Sequence, residues 1–440
     1  MTVPVSAAAW RRAAMTVSML GVATAAGAVM VFLTQALLAR EMGPDAYGLF
    51  ASSLATVTMI APLAGFGLTQ FHLKAYGVEG WGAHRWLKPS LDFITATTLL
   101  SIAIVVIWAL TGAPHDGTRF SLLVLTPVIL SVLAVNLVAN KLRLENRFGP
   151  MALSQMVIPA SRLLVAIGLL LVPHLTNRFV AVSYGLISLL VALAAWPQMR
   201  DMFVGRIALK GYGPRIEPAA SAAVPGMGAV WSEAWAYGVY AALYPVFFQI
   251  STILLKYLSG DAQAGLYAIA LAVMTAIYLI PATIYQKFLQ GKLHRWAAHD
   301  KPKFRHVYRT GNIGMFVSGA AIAAAMVALD PWLVPLIFGE EYRPVIAILA
   351  VLAICVPIRF LSTSMGAALL TEDNMRFRVY AIALATLAAV TGNVSLIPSY
   401  GIMGAAWATV IAETVLLLGT FYGVRRFTRT QRIGADSGRD

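Results

Sequence analysis

Long apolar runs recur along this chain of 440 residues and constrain its fold more than any other feature. Each run is about 20 residues long, enough for one helix to cross the hydrocarbon core of a bilayer. Inside a membrane every backbone N–H and C=O needs a partner within the protein, which favours helices. Only 12% of the residues are charged, whereas about a quarter are charged in soluble proteins. The sequence therefore predicts an all-α integral membrane protein.

The hydropathy pattern predicts twelve transmembrane helices in two groups of six. The predicted spans are Thr16–Ala39, Tyr47–Leu73, Ser90–Leu110, Phe120–Asn140, Pro150–Val172, Phe179–Pro197, Glu233–Leu258, Ala264–Phe288, Ile313–Asp330, Val345–Leu370, Val379–Pro398 and Gly401–Val424. A basic, proline-containing linker separates the groups. We predict an N-terminal six-helix bundle over 1–205, a cytoplasmic linker over 206–231 and a C-terminal six-helix bundle over 232–440. Prolines such as Pro62 and Pro357 are expected to kink their spans.

A short motif recurs at half the length of the chain. The sequence GLFA at Gly48 matches GLYA at Gly265, and at the same offset Gly43 matches Gly260. Each copy places a glycine turn between two apolar runs. Six spans per half is an even number, so both halves would enter the membrane from the same side, as parallel repeats do. Gly43 and Gly260 are expected to adopt left-handed backbone at these turns.

The distribution of basic residues predicts the orientation in the membrane. Of 33 Lys and Arg residues, 26 fall in loops on one side, and only Arg40, Arg119, Arg178 and Arg343 fall on the other. Basic loops stay in the cytoplasm, so both termini are predicted to be cytoplasmic. The net charge of +14 then reflects topology and does not indicate nucleic acid as a partner. The loop Lys287–Arg309 either marks topology alone or also contacts anionic lipid headgroups.

The sequence lacks the common motifs of catalytic and cofactor sites. There is no P-loop, no H-E-x-x-H motif and no paired Cys or His spacing. Its single cysteine, Cys355, lies in an apolar run, where a buried, inert thiol is the usual state. We therefore predict no metal, no cofactor and no enzymatic activity.

Three charged residues at the centres of predicted spans are the main candidates for function. They are Arg162 in the fifth span, Arg359 in the tenth and Glu413 in the twelfth. An ionised group at this depth is costly unless it faces water or protein. Each of the three either lines a cavity with a functional role or belongs to a buried structural pair.

Three further charged residues lie nearer the ends of spans. Lys256 is a few residues from the outer turn, where its ammonium group is expected to reach the membrane surface. Asp92 and Glu233 lie at the inner starts of their spans, where an acid also favours a helix N-terminus. We retain Lys256 as a candidate for substrate binding. Asp92 and Glu233 are retained as candidate coupling groups or charge partners.

Three stretches of the sequence carry a family resemblance. They are LAREMGPDAYGLF at 38–50, IFGEEY at 337–342 and PSYGIMGAAWAT at 398–409. In these stretches, and in the hairpin at Gly265, the chain resembles the polysaccharide-transport (Wzx-type flippase) family. That family belongs to the multidrug/oligosaccharidyl-lipid/polysaccharide (MOP) exporter superfamily.

The resemblance implies a MATE-like arrangement of two six-helix bundles in the bacterial cytoplasmic (inner) membrane. It implies a flippase for undecaprenyl-pyrophosphate-linked oligosaccharides used in O-antigen, lipopolysaccharide, capsule or exopolysaccharide synthesis. Expected partners are this lipid-linked substrate, membrane lipids, and polysaccharide polymerase and assembly proteins. Arg162 and Arg359, with Lys256, would hold the diphosphate, since arginine binds phosphate in a bidentate manner. Glu413 would neutralise an arginine or carry a coupling proton during alternating access.

Other functional classes stay open. A MATE-like, cation-coupled drug or metabolite exporter is one, although the first span lacks the acid that such relatives often place there. A membrane-embedded glycan polymerase or ligase is another, with Arg343, Glu340 and Glu341 as the only outer-loop cluster of a catalytic kind. A scaffold role in an assembly complex is compatible with flipping.

Overall fold

The computed structural model describes residues 7–172, 177–210, 225–283, 301–367 and 375–436, and in these ranges every regular element is helical. The helices are α1 (Ala7–Ile60), α2 (Leu68–Glu79), α3 (Leu87–Thr111), α4 (Asp116–Leu125), α5 (Pro127–Leu144), α6 (Phe148–Leu171), α7 (Asn177–Phe203), α8 (Met227–Ser259), α9 (Asp261–Thr283), α10 (Lys301–Phe338), α11 (Val345–Leu352), α12 (Cys355–Ala367) and α13 (Met375–Asp436). Short 3₁₀ helices cover Ala61–Leu63, Gly80–Trp86 and Glu340–Tyr342. The all-α prediction is confirmed.

Eight described segments are long and apolar enough to cross a membrane, and the pair α11–α12, bent by 41°, makes a ninth. Two of the eight are too long for one crossing, with 94 residues in Ser18–Thr111 and 51 in Arg376–Arg426. At about 1.5 Å per residue, even the shorter would extend more than twice the roughly 30 Å of a bilayer core. The first contains three predicted spans and the second contains two. With one crossing in each remaining segment and one in the bent pair, the described residues carry all twelve predicted crossings.

Glycines with positive φ separate helices that follow each other directly. Gly43 (φ 73°) interrupts α1 and Gly401 (φ 53°) interrupts α13. Gly260 (φ 95°) stands between α8 and α9. Residues with a Cβ rarely adopt this region. The prediction of left-handed glycine turns at Gly43 and Gly260 is therefore confirmed.

The predicted second span, Tyr47–Leu73, is not one helix. α1 ends at Ile60, a 3₁₀ turn follows over Ala61–Leu63, and α2 begins at Leu68. The residues between have positive φ at 65, 66 and 67. The kink expected at Pro62 is thus a complete break, because a proline followed by two glycines cannot continue an α-helix.

The chain divides into two compact units. The first unit comprises Met1–Glu41 and Ser53–Pro245, and the second comprises Met42–Ser52 and Val246–Asp440. In the first unit α5 packs against α6 and α7; in the second unit α12 packs against α10 and α13. The predicted linker is described only at 206–210 and 225–231. Residues 211–224, and 287–300 of the predicted basic loop, lie outside the described residues. The domain boundaries inferred from the sequence stay a prediction.

Large apolar side chains cover much of the helix surface. Leu336 and Trp332 on α10 are 71% and 70% exposed, and Leu99 on α3 is 62% exposed. Contiguous apolar surface of this kind is rare on soluble monomers, whereas lipid tails are as apolar as leucine. The protein is a multi-pass membrane protein.

The two copies of the repeated motif meet within the second unit. A Cβ atom built on Gly265 would lie 3.0 Å from the Cα of Gly48 and would overlap the carbonyl oxygen of Pro44. A Cβ on Gly48 would overlap the carbonyl oxygen of Asp261. The start of α9 and the second half of α1 therefore approach each other at a distance that only glycine allows.

Replacing Gly48 with Ala should lower the amount of folded protein in the membrane. The added methyl group meets backbone, which cannot rotate away, and overpacking of this kind costs about 1–3 kcal/mol or more. Membrane abundance and the melting temperature in detergent would measure the loss. Gly168→Ala is the matched control, because a Cβ there meets nothing within 4 Å. Equal abundance of the two variants would contradict the proposed close packing.

Candidate functional site

Helix α6 has an apolar, exposed face, and Arg162 lies on the opposite side of the helix. Leu153, Leu164 and Leu171 are 69–74% exposed, and their spacing places them on one side of the helix. Arg162 follows Leu153 by nine residues, which is about two and a half turns and hence the opposite side. The exposed leucines are suited to lipid. Arg162 is therefore on the side of α6 that faces away from it.

The guanidinium of Arg162 makes no ion pair within the described residues. Its Cζ atom lies 4.6 Å from the ring centroid of Tyr184 on α7, a cation–π distance. Its Nε atom is inaccessible to solvent and has no hydrogen-bond partner. The role of Arg162 as a phosphate ligand stays a prediction.

Arg359 in the second unit has a different environment. Its Nη1 atom donates to both carboxylate oxygens of Glu413 at 3.4 Å, and both side chains are buried. The guanidinium also lies 4.7 Å from the ring centroid of Phe248 and 5.3 Å from that of Tyr278. Of the two alternatives left open for Arg359, the buried pair is the one that the structure shows, and Glu413 is its partner. Its role as a phosphate ligand stays a prediction.

A second cluster of buried polar side chains in this unit connects α8, α9 and α13. The hydroxyl groups of Tyr267 and Thr409 lie 2.6 Å apart. Ser251 lies 3.3 Å from Thr409 and accepts a hydrogen bond from the Asn393 amide at 3.0 Å. Such bonds satisfy polar groups that would otherwise be costly in a membrane interior. Hydropathy analysis did not single out any of these residues, because none is charged.

The side chain of Lys256 does not reach solvent. Its ammonium group lies 2.5 Å from the Asp261 carboxylate, and its side chain is only 2% exposed. The expectation of a snorkelling lysine is wrong, because Asp261, five residues further on and across the Gly260 turn, supplies the opposite charge nearby.

The two acids near span ends are at the protein surface. Glu233 on α8 pairs with Lys74 on α2 at 3.5 Å, with both side chains partly exposed. Asp92 on α3 is exposed and makes no ion pair in the part of the chain that the structure describes. An exposed pair of the first kind contributes little to stability. The roles of Glu233 and Asp92 as coupling groups stay predictions.

The loop cluster of Arg343, Glu340 and Glu341 does not have the properties of a catalytic acid in a glycosidase. Arg343 pairs with Glu340, and both side chains are exposed. The hydrogen bond from Arg343 lowers the pKa of Glu340. A carboxylic acid that protonates a leaving group at a glycosidic bond needs a raised pKa instead. Elsewhere in the described residues, no three His, Cys, Asp or Glu side chains come together as a metal site would require.

Comparison with known families shows which family this chain belongs to. Residues 14–288, more than half of the chain, match the polysaccharide biosynthesis protein family. The chain belongs to this family. No curated protein matches the sequence.

Solved structures are similar to this polysaccharide biosynthesis family protein over almost its full length. The lipid II flippase MurJ in an inward closed conformation superposes with a TM-score of 0.71 at 12% identity, covering 92% of this chain and 87% of MurJ. An inward-facing multidrug resistance MATE transporter of the MOP superfamily gives 0.64 at 12%, covering 92% and 96%. The eukaryotic MATE transporter AtDTX14 gives 0.60 at 14%, covering 94% and 98%. At these identities the likeness concerns the fold.

The family protein therefore has the all-α, two-bundle fold of these membrane transporters, as the resemblance in the sequence indicated. Sequence reasoning missed one residue of the Arg162 face. Gln155 is exposed and lies seven residues before Arg162, which is about two turns along the same side of α6. The helical spacing from Arg162 could have indicated it, because a polar residue two turns away lies on the same face.

Proposed function

We propose that this protein translocates an undecaprenyl-pyrophosphate-linked oligosaccharide across the bacterial inner membrane for surface polysaccharide biosynthesis, including O-antigen, lipopolysaccharide or exopolysaccharide. One observation carries the proposal: Arg162 is a mid-span cation with no ion pair among the described residues, on the side of α6 away from lipid. A diphosphate is the anionic part of such a substrate. Membership of a polysaccharide biosynthesis family supports the same substrate class.

The chemistry of the substrate explains why a transporter would need this arrangement. The diphosphate and sugars cannot enter hydrocarbon without losing their hydration, which is expensive for charged and polar groups. A guanidinium offers parallel N–H groups that replace water around a phosphate. Gln155 lies about 10 Å from Arg162 along the helix. There it would contact the first sugars of the head group. The undecaprenyl tail stays in lipid, against surfaces like that formed by Leu153 and Leu164.

Translocation would proceed by alternating access, with one half of the transporter moving against the other around the bound head group. In this proposal Arg162 binds the diphosphate from the N-terminal half. The Arg359–Glu413 pair stabilises the C-terminal half, and Arg359 would also contribute to substrate binding. Polysaccharide polymerase and assembly proteins would receive the flipped product.

Both termini and the segment Lys287–Arg309 are proposed to be cytoplasmic. The proposal rests on the 26 basic residues that fall in loops of one side. Alkaline phosphatase, which is active only outside the cytoplasm, should be inactive when fused after Arg309 and active when fused at Asp116. The reverse pattern of activity would contradict this topology.

The function is tested by deletion and reconstitution. A deletion strain should lose surface polysaccharide and accumulate its undecaprenyl-diphosphate-linked sugar unit in the inner leaflet, and the intact gene should reverse both effects. In proteoliposomes, the purified protein should make this lipid accessible to an external periodate probe. Unchanged surface glycan with increased sensitivity to cationic drugs would instead identify a drug exporter. A normal supply of flipped units with shortened glycan chains would identify a polymerase.

A further inference from the structure

The first unit contains a recess beside the break in the second predicted span. Its volume is about 120 Å³, and it is formed by residues 61–70 together with α5 and Ala241 of α8. An engineered protein cavity of about 150 Å³ accommodates one benzene ring. The recess is therefore about the size of a single six-membered ring.

The break that opens the recess is held in place by packing. Phe66 has a φ of 28°, a conformation that costs free energy for a residue with a side chain. Its ring stacks on Trp231 with centroids 5.1 Å apart and planes within 2°. On α8, a Cβ at Gly238 would overlap the Phe66 ring, so a glycine is needed for this contact. The surrounding side chains thus maintain a strained backbone next to the recess.

Three neutral polar side chains line the recess: Thr69, Gln70 and Asn136. The hydroxyl of Thr69 donates to the Gln70 amide oxygen at 2.6 Å. Within the described residues, the Gln70 amide nitrogen and the Asn136 amide have no hydrogen-bond partner, and both side chains are exposed. Asn136 belongs to the candidate span Asp116–Leu144. A polar group there is expected to face a water-filled or ligand-filled space.

The remaining lining excludes ionic ligands and suits a sugar. Leu68, Leu133 and Leu137 supply apolar walls, and no charged side chain lines the recess. A divalent cation would need carboxylate oxygens, and a phosphate would need arginine or lysine. Amides both donate and accept hydrogen bonds, as vicinal hydroxyl groups require, while the C–H faces of a pyranose pack on leucine.

We propose that this recess binds one pyranose ring of the transported head group, with Asn136 and Gln70 bonding to its hydroxyl groups. The inference rests on the proposed function and adds a carbohydrate subsite to it. Arg162 would hold the diphosphate common to all such lipids. The recess would distinguish a glycosylated lipid from the bare carrier.

The subsite is tested by comparing two lipids on the purified full-length protein in nanodiscs. The probes are undecaprenyl diphosphate and the same lipid carrying the sugar unit that accumulates in the deletion strain. The unsubstituted protein should bind the glycosylated lipid more tightly. Asn136→Ala and Gln70→Ala should each weaken that binding about tenfold, the effect of losing a hydrogen bond of ordinary strength, and should leave binding of the bare lipid unchanged. Asn136→Leu, which keeps the branching at Cγ and removes the hydrogen-bonding groups, should do the same.

The control is Thr95→Ala on α3, whose exposed hydroxyl bonds to the Leu91 carbonyl of its own helix and does not line the recess. The melting temperature of each variant would confirm that it folds. A protein that binds both lipids equally, or recess variants that keep the preference for the glycosylated lipid, would overturn the subsite and leave the recess as a water-filled space. A protein that binds neither lipid would overturn the proposed function together with the subsite.

Discussion

Replacing Arg162 with Gln should abolish export of surface glycan while the protein remains in the membrane at near-normal abundance. The change removes a positive charge that has no acidic partner within the described residues, so it leaves no buried carboxylate unpaired. The bound diphosphate would lose its bidentate partner and the charge that replaces its hydration. Export would be measured as surface polysaccharide in the complemented deletion strain, and abundance by immunoblotting of membranes.

Two further variants sharpen this result. Arg162→Lys keeps the charge and loses the planar fork, so export should fall only partly. Arg178→Gln is the matched control, since Arg178 in the same unit also lies over an aromatic ring, that of Phe120 at 5.4 Å, and is exposed. Export should persist in that control. If export survives Arg162→Gln, or declines only in proportion to abundance, Arg162 is not the diphosphate ligand.

Replacing Glu413 with Met should remove most of the protein from the membrane. The substitution leaves the Arg359 guanidinium buried without its carboxylate partner at 3.4 Å. Breaking a buried pair from one side costs about 3–5 kcal/mol, a large fraction of the roughly 5–15 kcal/mol that stabilises a typical domain. Abundance and the melting temperature in detergent should both fall sharply, and Arg359→Met alone should have a comparable effect.

The double variant Arg359→Met, Glu413→Met separates structure from function. A buried ion pair replaced by apolar side chains of similar size is often tolerated, so abundance should return toward the unsubstituted level. Export by the double variant then shows whether the pair contributes to transport in addition to stabilising the fold. If export also returns, Arg359 binds no diphosphate. If abundance returns and export does not, Arg359 or Glu413 takes part in transport. Normal abundance of the single variants would contradict the structural role of the pair.

The helical content, the number of crossings and the sites of the tight turns could all be predicted from the sequence. Apolar runs of bilayer length leave little choice but helices. The glycines at 43 and 260 indicated positive φ, which the structure has. The repeat that equates Gly48 with Gly265 was visible as well. That the two glycines touch was not, because sequence similarity carries no information about distance.

The identity of charge partners was decided by the tertiary structure alone. Arg162 and Arg359 were singled out on the same ground, their central position in predicted spans. In the structure, Arg162 lies over Tyr184 and has no ion pair among the described residues. Arg359 instead pairs with Glu413, 54 positions away. Which helix faces meet depends on the rotation and tilt of each helix, and hydropathy says little about either. Lys256 shows the same limit, since its bond to Asp261 depends on the direction taken by the chain at Gly260.

Sequence by itself therefore determined that this chain crosses a membrane many times, which residues are charged at depth and which family it resembles. Membrane insertion depends on summed hydropathy along the chain, a property that a sequence carries directly. Only the tertiary structure showed the complete break before α2, the recess beside it and the separate environments of the two arginines. These features depend on packing between segments far apart in sequence, such as Phe66 against Trp231, and such packing exists only once the helices have assembled.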